Sequence, residues 1–140
     1  MVNMLEYNEE NLKLVSDIIK RNLTPDLLPK SWINRNEKNP TFGHCHNAAG
    51  CLYKIFGSKA VNMYRGFDGE IYHWWIQDKL GTIIDLTSEQ YTSIGKIPPY
   101  DKAEKAGLLG FEYNKRVLRL YDRVTIELSG NKLGLLNYYE

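Results

Sequence analysis

Gly43-His44-Cys45-His46-Asn47-Ala48-Ala49, followed by His73-Trp74-Trp75 and then Ile84-Asp85-Leu86-Thr87, is the stretch around which the rest of the chain is arranged. Its first part reads as the start of a helix. Ala48, Ala49, Leu52, Tyr53 and Phe56 recur at helical spacing, Cys45 lies on the same stripe one turn earlier, and Gly57 stands where a helix-ending glycine belongs. The other two parts read as strands. From Glu70 to Asp78 side chains alternate, so Ile71, His73, Trp75 and Gln77 share a face, and from Thr82 to Leu86, continued by Thr87, so do Ile83, Asp85 and Thr87. Ala60 to Gly66 supplies an earlier strand, with Asp68-Gly69 as a hairpin turn. Helices followed by an antiparallel meander make an α+β fold, with N-terminal helices and the Cys45-bearing helix packed on a small antiparallel sheet.

The last hairpin decides what that sheet presents. If the turn from Asp78 to Gly81 closes around a three-residue loop, His73 and Asp85 fall on one face as opposite or diagonal neighbours, within reach of one hydrogen bond. A two-residue loop puts them on opposite faces.

Outward from this stretch, Asn8 caps an amphipathic helix carrying Leu12, Val15, Ile18, Ile19 and Leu23. Thr24-Pro25 opens a short second helix from Asp26 to about Asn34, and Asn34 to Pro40 reads as a polar loop. Beyond Thr87, Ser88 to Tyr91 forms one turn, Ile97-Pro98-Pro99-Tyr100 runs extended, and Lys102 to Lys105 is helical. Asn114 caps a last helix carrying Val117, Leu120, Tyr121, Val124 and Leu128 and ending at Ser129-Gly130, although Val124-Thr125-Ile126 also suits a strand.

The chemistry of Cys45, His73 and Asp85 gives this arrangement a purpose. Cysteine attacks as thiolate, which the unpaired N–H groups of a helix N-terminus favour. A histidine within reach takes the proton, and a carboxylate on its far nitrogen fixes the tautomer. The backbone N–H of Cys45 is the natural oxyanion donor. The same three residues also admit a purely structural reading, as a buried helix cysteine, a satisfied sheet histidine and a turn-facing carboxylate.

With 140 residues, 43% of them hydrophobic and 25% charged, the chain is expected to form a single domain over residues 1–140. Eighteen basic against seventeen acidic residues, with no long basic run, argue against a nucleic-acid partner. There is no long apolar span and no signal-peptide pattern, so no membrane association and a cytoplasmic location are expected. Cys45 and Cys51 are six apart on one helix, so both should stay reduced, with Cys51 packing in the core. His44, Cys45, His46, His73 and Asp85 could together surround zinc, but paired Cys-x-x-Cys or His-x-x-x-His ligands are missing, so no metal and no cofactor are expected.

At Cys45, at His73 with Trp75, and at Asp85 with Thr87, the sequence resembles the papain-like superfamily, specifically its transglutaminase-like and cell-wall-amidase-like members. Those enzymes place cysteine at the start of a buried helix and then histidine and aspartate on adjacent strands. The resemblance implies a thiol-dependent acyl-transfer or amide-hydrolysing enzyme acting on a protein or peptide-like substrate, with Cys45, His73 and Asp85 as its triad. Asn39, six residues upstream of Cys45, sits at the spacing of the side-chain oxyanion donor of such enzymes. Asn39, His44 beside the nucleophile, and Trp75 as a wall of the site are the candidate substrate-binding residues. Only 28 positions separate Cys45 from His73 and 12 separate His73 from Asp85, a spacing that favours a small amidase, a deamidase or a degenerate binding module over a protease of large proteins. A second resemblance, carried by Gly43-His44-Cys45, Asp85 to Gln90, Pro99-Tyr100, Gly110-Phe111 and Lys115-Arg116, is to small uncharacterised proteins of phages, including T4-like phages, and bacteria. It leaves open a catalytically inactive module that binds a host protein in the host cytoplasm.

Overall fold

Asn8 opens the first helix as its sequence position suggests: its side chain accepts the Asn11 backbone N–H at 2.8 Å and caps α1, Glu9–Arg21. The structure is a computed structural model that describes residues 5–39 and 41–139, and side chains within them except at 111–112 and 131–139. Among the described residues there are five α-helices and four short antiparallel strands, an α+β architecture.

The region after α1 differs from expectation. Instead of one helix there are two 3-10 turns, Pro25–Leu27 and Lys30–Trp32. Pro29 explains the break, because it forces Leu28 into an extended conformation (ψ 150°). The segment read as a polar loop is mostly helical: α2 spans Ile33–Lys38, while Pro40 lies outside the described residues. Tertiary partners override the local polarity. Asn36 is buried with its amide donating to the Phe42 carbonyl at 3.0 Å, and the Arg35 guanidinium lies 4.1 Å over the Phe42 ring while pairing with Glu70 at 2.8 Å.

Helix α3, Cys45–Phe56, is the centre of the molecule. It contacts the sheet on the one hand and α1 and the last helix of the chain on the other, and nearly every one of its residues is buried. Small side chains at Ala48, Ala49 and Gly50 permit this close approach from several directions. The sheet runs in the order β3-β2-β1-β4, with β1 Val61–Phe67, β2 Tyr72–Asp78, β3 Ile83–Ile84 and β4 Glu104–Lys105. Between β3 and β4 lie α4, Glu89–Thr92, and a proline-bearing strap, Pro98-Pro99, that ends in a 3-10 turn at Tyr100–Lys102. The helix expected over 102–105 is therefore replaced by the end of that turn at Lys102 and extended chain from Ala103 to Lys105. The strap delivers Glu104 and Lys105 to the free edge of β1, where they pair with Arg65 and Tyr64.

The last helix, α5, Phe111–Tyr139, starts one turn before Asn114 because the Gly110 carbonyl already accepts the N–H groups of Tyr113 and Asn114. It also runs through Val124-Thr125-Ile126 and past Gly130, since a single glycine costs a helix only about 1 kcal/mol. Val117, Leu120, Val124 and Leu128 form its buried stripe against α3 and α1, each side chain contributing roughly 1.5–3 kcal/mol.

Candidate active site

Cys45 is the first residue of α3. Its predecessor, His44, occupies the cap position without a side-chain capping bond, and the N–H groups of a first helical turn, that of Cys45 among them, have no acceptor inside the helix. The thiol approaches the Tyr72 carbonyl at 3.9 Å.

The hairpin loop between β2 and β3 has three residues. Ile76 faces Ile84 and Gln77 faces Ile83, Asp78 N–H donates to the Thr82 carbonyl at 3.1 Å, and Gly81 closes the turn at φ +85°. Continued past Ile84, this register sets Asp85 opposite Trp75 and diagonal to His73 on one face. The two side chains meet: His73 Nε2 lies 2.6 Å from Asp85 Oδ2. A carboxylate only accepts, so Nε2 carries the proton. Nδ1 is buried without a hydrogen-bond partner of normal geometry. Cys45 nevertheless lies close enough to this ring to act on its titration, so sulfur and imidazole are near neighbours rather than a formed hydrogen-bonded pair. Burial pushes the imidazole toward its neutral form, but the hydrogen bond it donates to Asp85 and the nearness of Cys45 outweigh it and raise the pKa from 6.5 to about 9.

Asp85 is held on every side. Tyr100 Oη donates to Oδ2 at 2.6 Å, and the Thr87 N–H and hydroxyl donate to Oδ1 at 3.1 and 3.4 Å. Burial and the Asp85 carboxylate both keep the Tyr100 phenol protonated. Tyr100 reaches this position because Pro99 presses on β1 at Gly66, where a Cβ would stand 2.3 Å from the Pro99 carbonyl oxygen. Tyr91 packs edge-on to His73 at 4.8 Å and donates to Asp68 Oδ2 at 2.6 Å, while Asp68 Oδ1 holds the N–H groups of Glu70 and Ile71. Tyr100, Tyr91 and Asp68 were not legible as site residues; Asp68 showed only as a turn former.

Trp75 is 1% exposed, its ring 5.8 Å from His73 and 5.0 Å from Tyr100, with its indole N–H on Gln77. Asn39 ends α2 and its amide donates to the Gln90 carbonyl at 2.8 Å, tying α2 to α4. His44 is fully buried with neither ring nitrogen hydrogen-bonded, and burial lowers its pKa to about 4 against the opposing pull of Asp26. His46 is likewise lowered to about 4 by burial; its Nε2 accepts the Leu109 N–H at 3.3 Å and its ring stands edge-on to Trp74 at 4.8 Å. Cys51 is wholly buried, which raises its thiol pKa. Both cysteines are free. Among the described residues no group of three His, Cys, Asp or Glu side chains converges to hold a metal, and no helix is long and apolar enough to cross a membrane.

No curated protein and no solved structure matches this chain. A family model described as YunG protein matches residues 14–128, a wider span than the resemblance seen from Gly43 onward, and Cys45, His73, Asp85, Tyr91 and Tyr100 all fall inside it. The chain belongs to the YunG protein family, a small uncharacterised family.

Proposed function

We propose that the protein is a thiol-dependent acyl-transfer or amide-hydrolysing enzyme with a papain-like core, in which Cys45 is the nucleophile, His73 the base and Asp85 its orienting partner. One observation carries this reading: His73 gives Nε2 to Asp85 at 2.6 Å and leaves Nδ1 unpartnered, with Cys45 near the same ring. In the proposed cycle the Cys45 proton already rests on His73 Nδ1, and the Sγ thiolate bonds to the acyl carbon. The carbonyl oxygen takes the negative charge and is met by the Cys45 N–H. His73 then protonates the departing amine, leaving a thioester. Water, deprotonated by His73, cleaves the thioester to a carboxylic acid, or an amine takes the acyl group instead.

The burial of Cys45 (6% exposed) and His73 (0% exposed) favours a second reading, a catalytically inactive module, phage-encoded or bacterial, that binds a protein. Incubation with p-nitrophenyl acetate separates the two. The enzyme reading expects one acetyl group on the Cys45 peptide and none on Cys51, lost in His73→Ala and slowed about 10³–10⁴-fold in Asp85→Asn. An unmodified Cys45, or acetylation indifferent to His73, leaves the binding module as the function.

A further inference from the structure

Cys45 borders a cleft of about 50 Å³ between the start of α3, the β2 strand and α5. At roughly 10–15 Å³ of such space for each water-sized group, this is room for a short acyl chain. Its walls are aromatic and aliphatic, including Trp32, Tyr72, Trp74 and Leu109, and of the residues lining it only Arg116 carries a full charge, His46 being held neutral. The Arg116 guanidinium lies 5.8 Å from the centre of the Tyr113 ring. The neighbouring cations are engaged: Arg119 and Arg123 on the same helix pair with Asp26, and Arg65, which covers Tyr72 at 4.2 Å, pairs with Glu104 at 2.6 Å. Among the described side chains no carboxylate stands within ion-pair distance of Arg116. A guanidinium backed by an aromatic ring at the wall of a largely apolar cleft presents a planar fork suited to a carboxylate, and the low polarity of the walls strengthens the pairing.

We infer that the acyl part of the substrate is short and carries a carboxylate, which Arg116 binds while Cys45 attacks the neighbouring carbonyl. The inference rests on Cys45 being the nucleophile of the proposed function. It also separates carboxylate-bearing amides and esters from neutral ones of equal size, which the cleft admits sterically but does not anchor.

The test compares iodoacetate with iodoacetamide as alkylating probes of Cys45, reagents that differ in charge while placing the same carbon before the sulfur. Rates are read by peptide mass and divided by those of N-acetylcysteine. The expected result is a normalised preference for iodoacetate that falls roughly three- to tenfold in Arg116→Gln, is largely kept in Arg116→Lys, and fades in the parent as salt is raised. A protonated His73 also attracts an anion, so the change on Arg116→Gln is the decisive arm. An unchanged ratio in Arg116→Gln, with circular dichroism showing the helices intact, overturns the inference. If that variant loses its fold, a parent preference insensitive to salt overturns it equally. Slow labelling by both reagents with a ratio that still depends on Arg116 supports the carboxylate site and removes Cys45 as an activated nucleophile.

Discussion

Tyr100 and His73 meet on a single oxygen: Tyr100 Oη and His73 Nε2 each lie 2.6 Å from Asp85 Oδ2. Two donors on one oxygen share its negative charge, so Tyr100 moderates the pull that Asp85 exerts on the imidazole. Tyr100→Phe is expected to raise the His73 pKa further, observable as a shift of the midpoint of its imidazole NMR titration to higher pH, at a stability cost of about 1–2 kcal/mol. A titration curve superimposable on that of the parent would show that Tyr100 only fills space.

Gly66 lets the strap deliver that hydroxyl. A Cβ at this position would meet the Pro99 carbonyl oxygen at 2.3 Å and the Trp75 ring at 3.1 Å. The nearer neighbour is backbone and has little freedom to yield. Gly66→Ala is expected to destabilise the fold by about 1–3 kcal/mol in urea unfolding and to reproduce the His73 titration shift of Tyr100→Phe, because the strap must lift off Asp85. A stable variant with unaltered titration would place Tyr100 under the control of other contacts.

The difference between what the chain shows as a string and what it shows folded follows from the reach of the interactions. The strand expected over 82–86 is only Ile83–Ile84, with Asp85 just past its end, but the Asn8 cap, the Cys45 helix with its Gly57 end and the strand bearing His73 rest on local periodicity and were legible. So was the condition on the loop: three residues between Asp78 and Thr82 bring His73 and Asp85 to one face, and three are found. Helix α2 was not legible, because Asn36 is turned inward by the Phe42 carbonyl and Arg35 is held by Phe42 and Glu70, partners fixed only by folding. Strand β4 has two residues and exists only because β1 offers an edge. Tyr100 lies 15 residues beyond Asp85 on an irregular strap, and no periodicity points from one to the other.

The buried histidines set opposing pH limits on stability. The folded pKa of His73, about 9, lies above the ordinary 6.5, so its contribution is complete below pH 6.5 and is lost as pH rises through about 9. His44 and His46, both near 4 when folded, act in the other direction: their contribution is complete above 6.5 and is lost as pH falls from there toward 4. Urea unfolding followed from about pH 4 to about pH 9.5 should give a stability maximum between these limits. His73→Asn is expected to flatten the alkaline limb and His44→Leu part of the acid limb. A profile whose limbs ignore both substitutions would assign the pH dependence to the surface carboxylates and amines.

Access to Cys45 should depend on an ion pair that is itself exposed. Arg35 on α2 stacks on Phe42, three residues before Cys45, and reaches across to Glu70 in the turn that leads into β2, where the Tyr72 carbonyl receives the thiol. The pair thus ties the segment entering α3 to the segment entering β2, over a thiol that is only 6% exposed. Both partners are largely solvated, so breaking the pair should change global stability by less than about 1 kcal/mol. It should change local opening by the same small energy, enough to raise iodoacetamide labelling of Cys45 roughly two- to fivefold in Glu70→Gln or Arg35→Gln. Added salt should speed labelling of the parent toward that of the variants and leave the variants nearly unchanged, because screening and mutation remove the same attraction. Equal labelling rates in parent and variants at low salt would mean that the route to Cys45 opens elsewhere, through the cleft beneath Arg116.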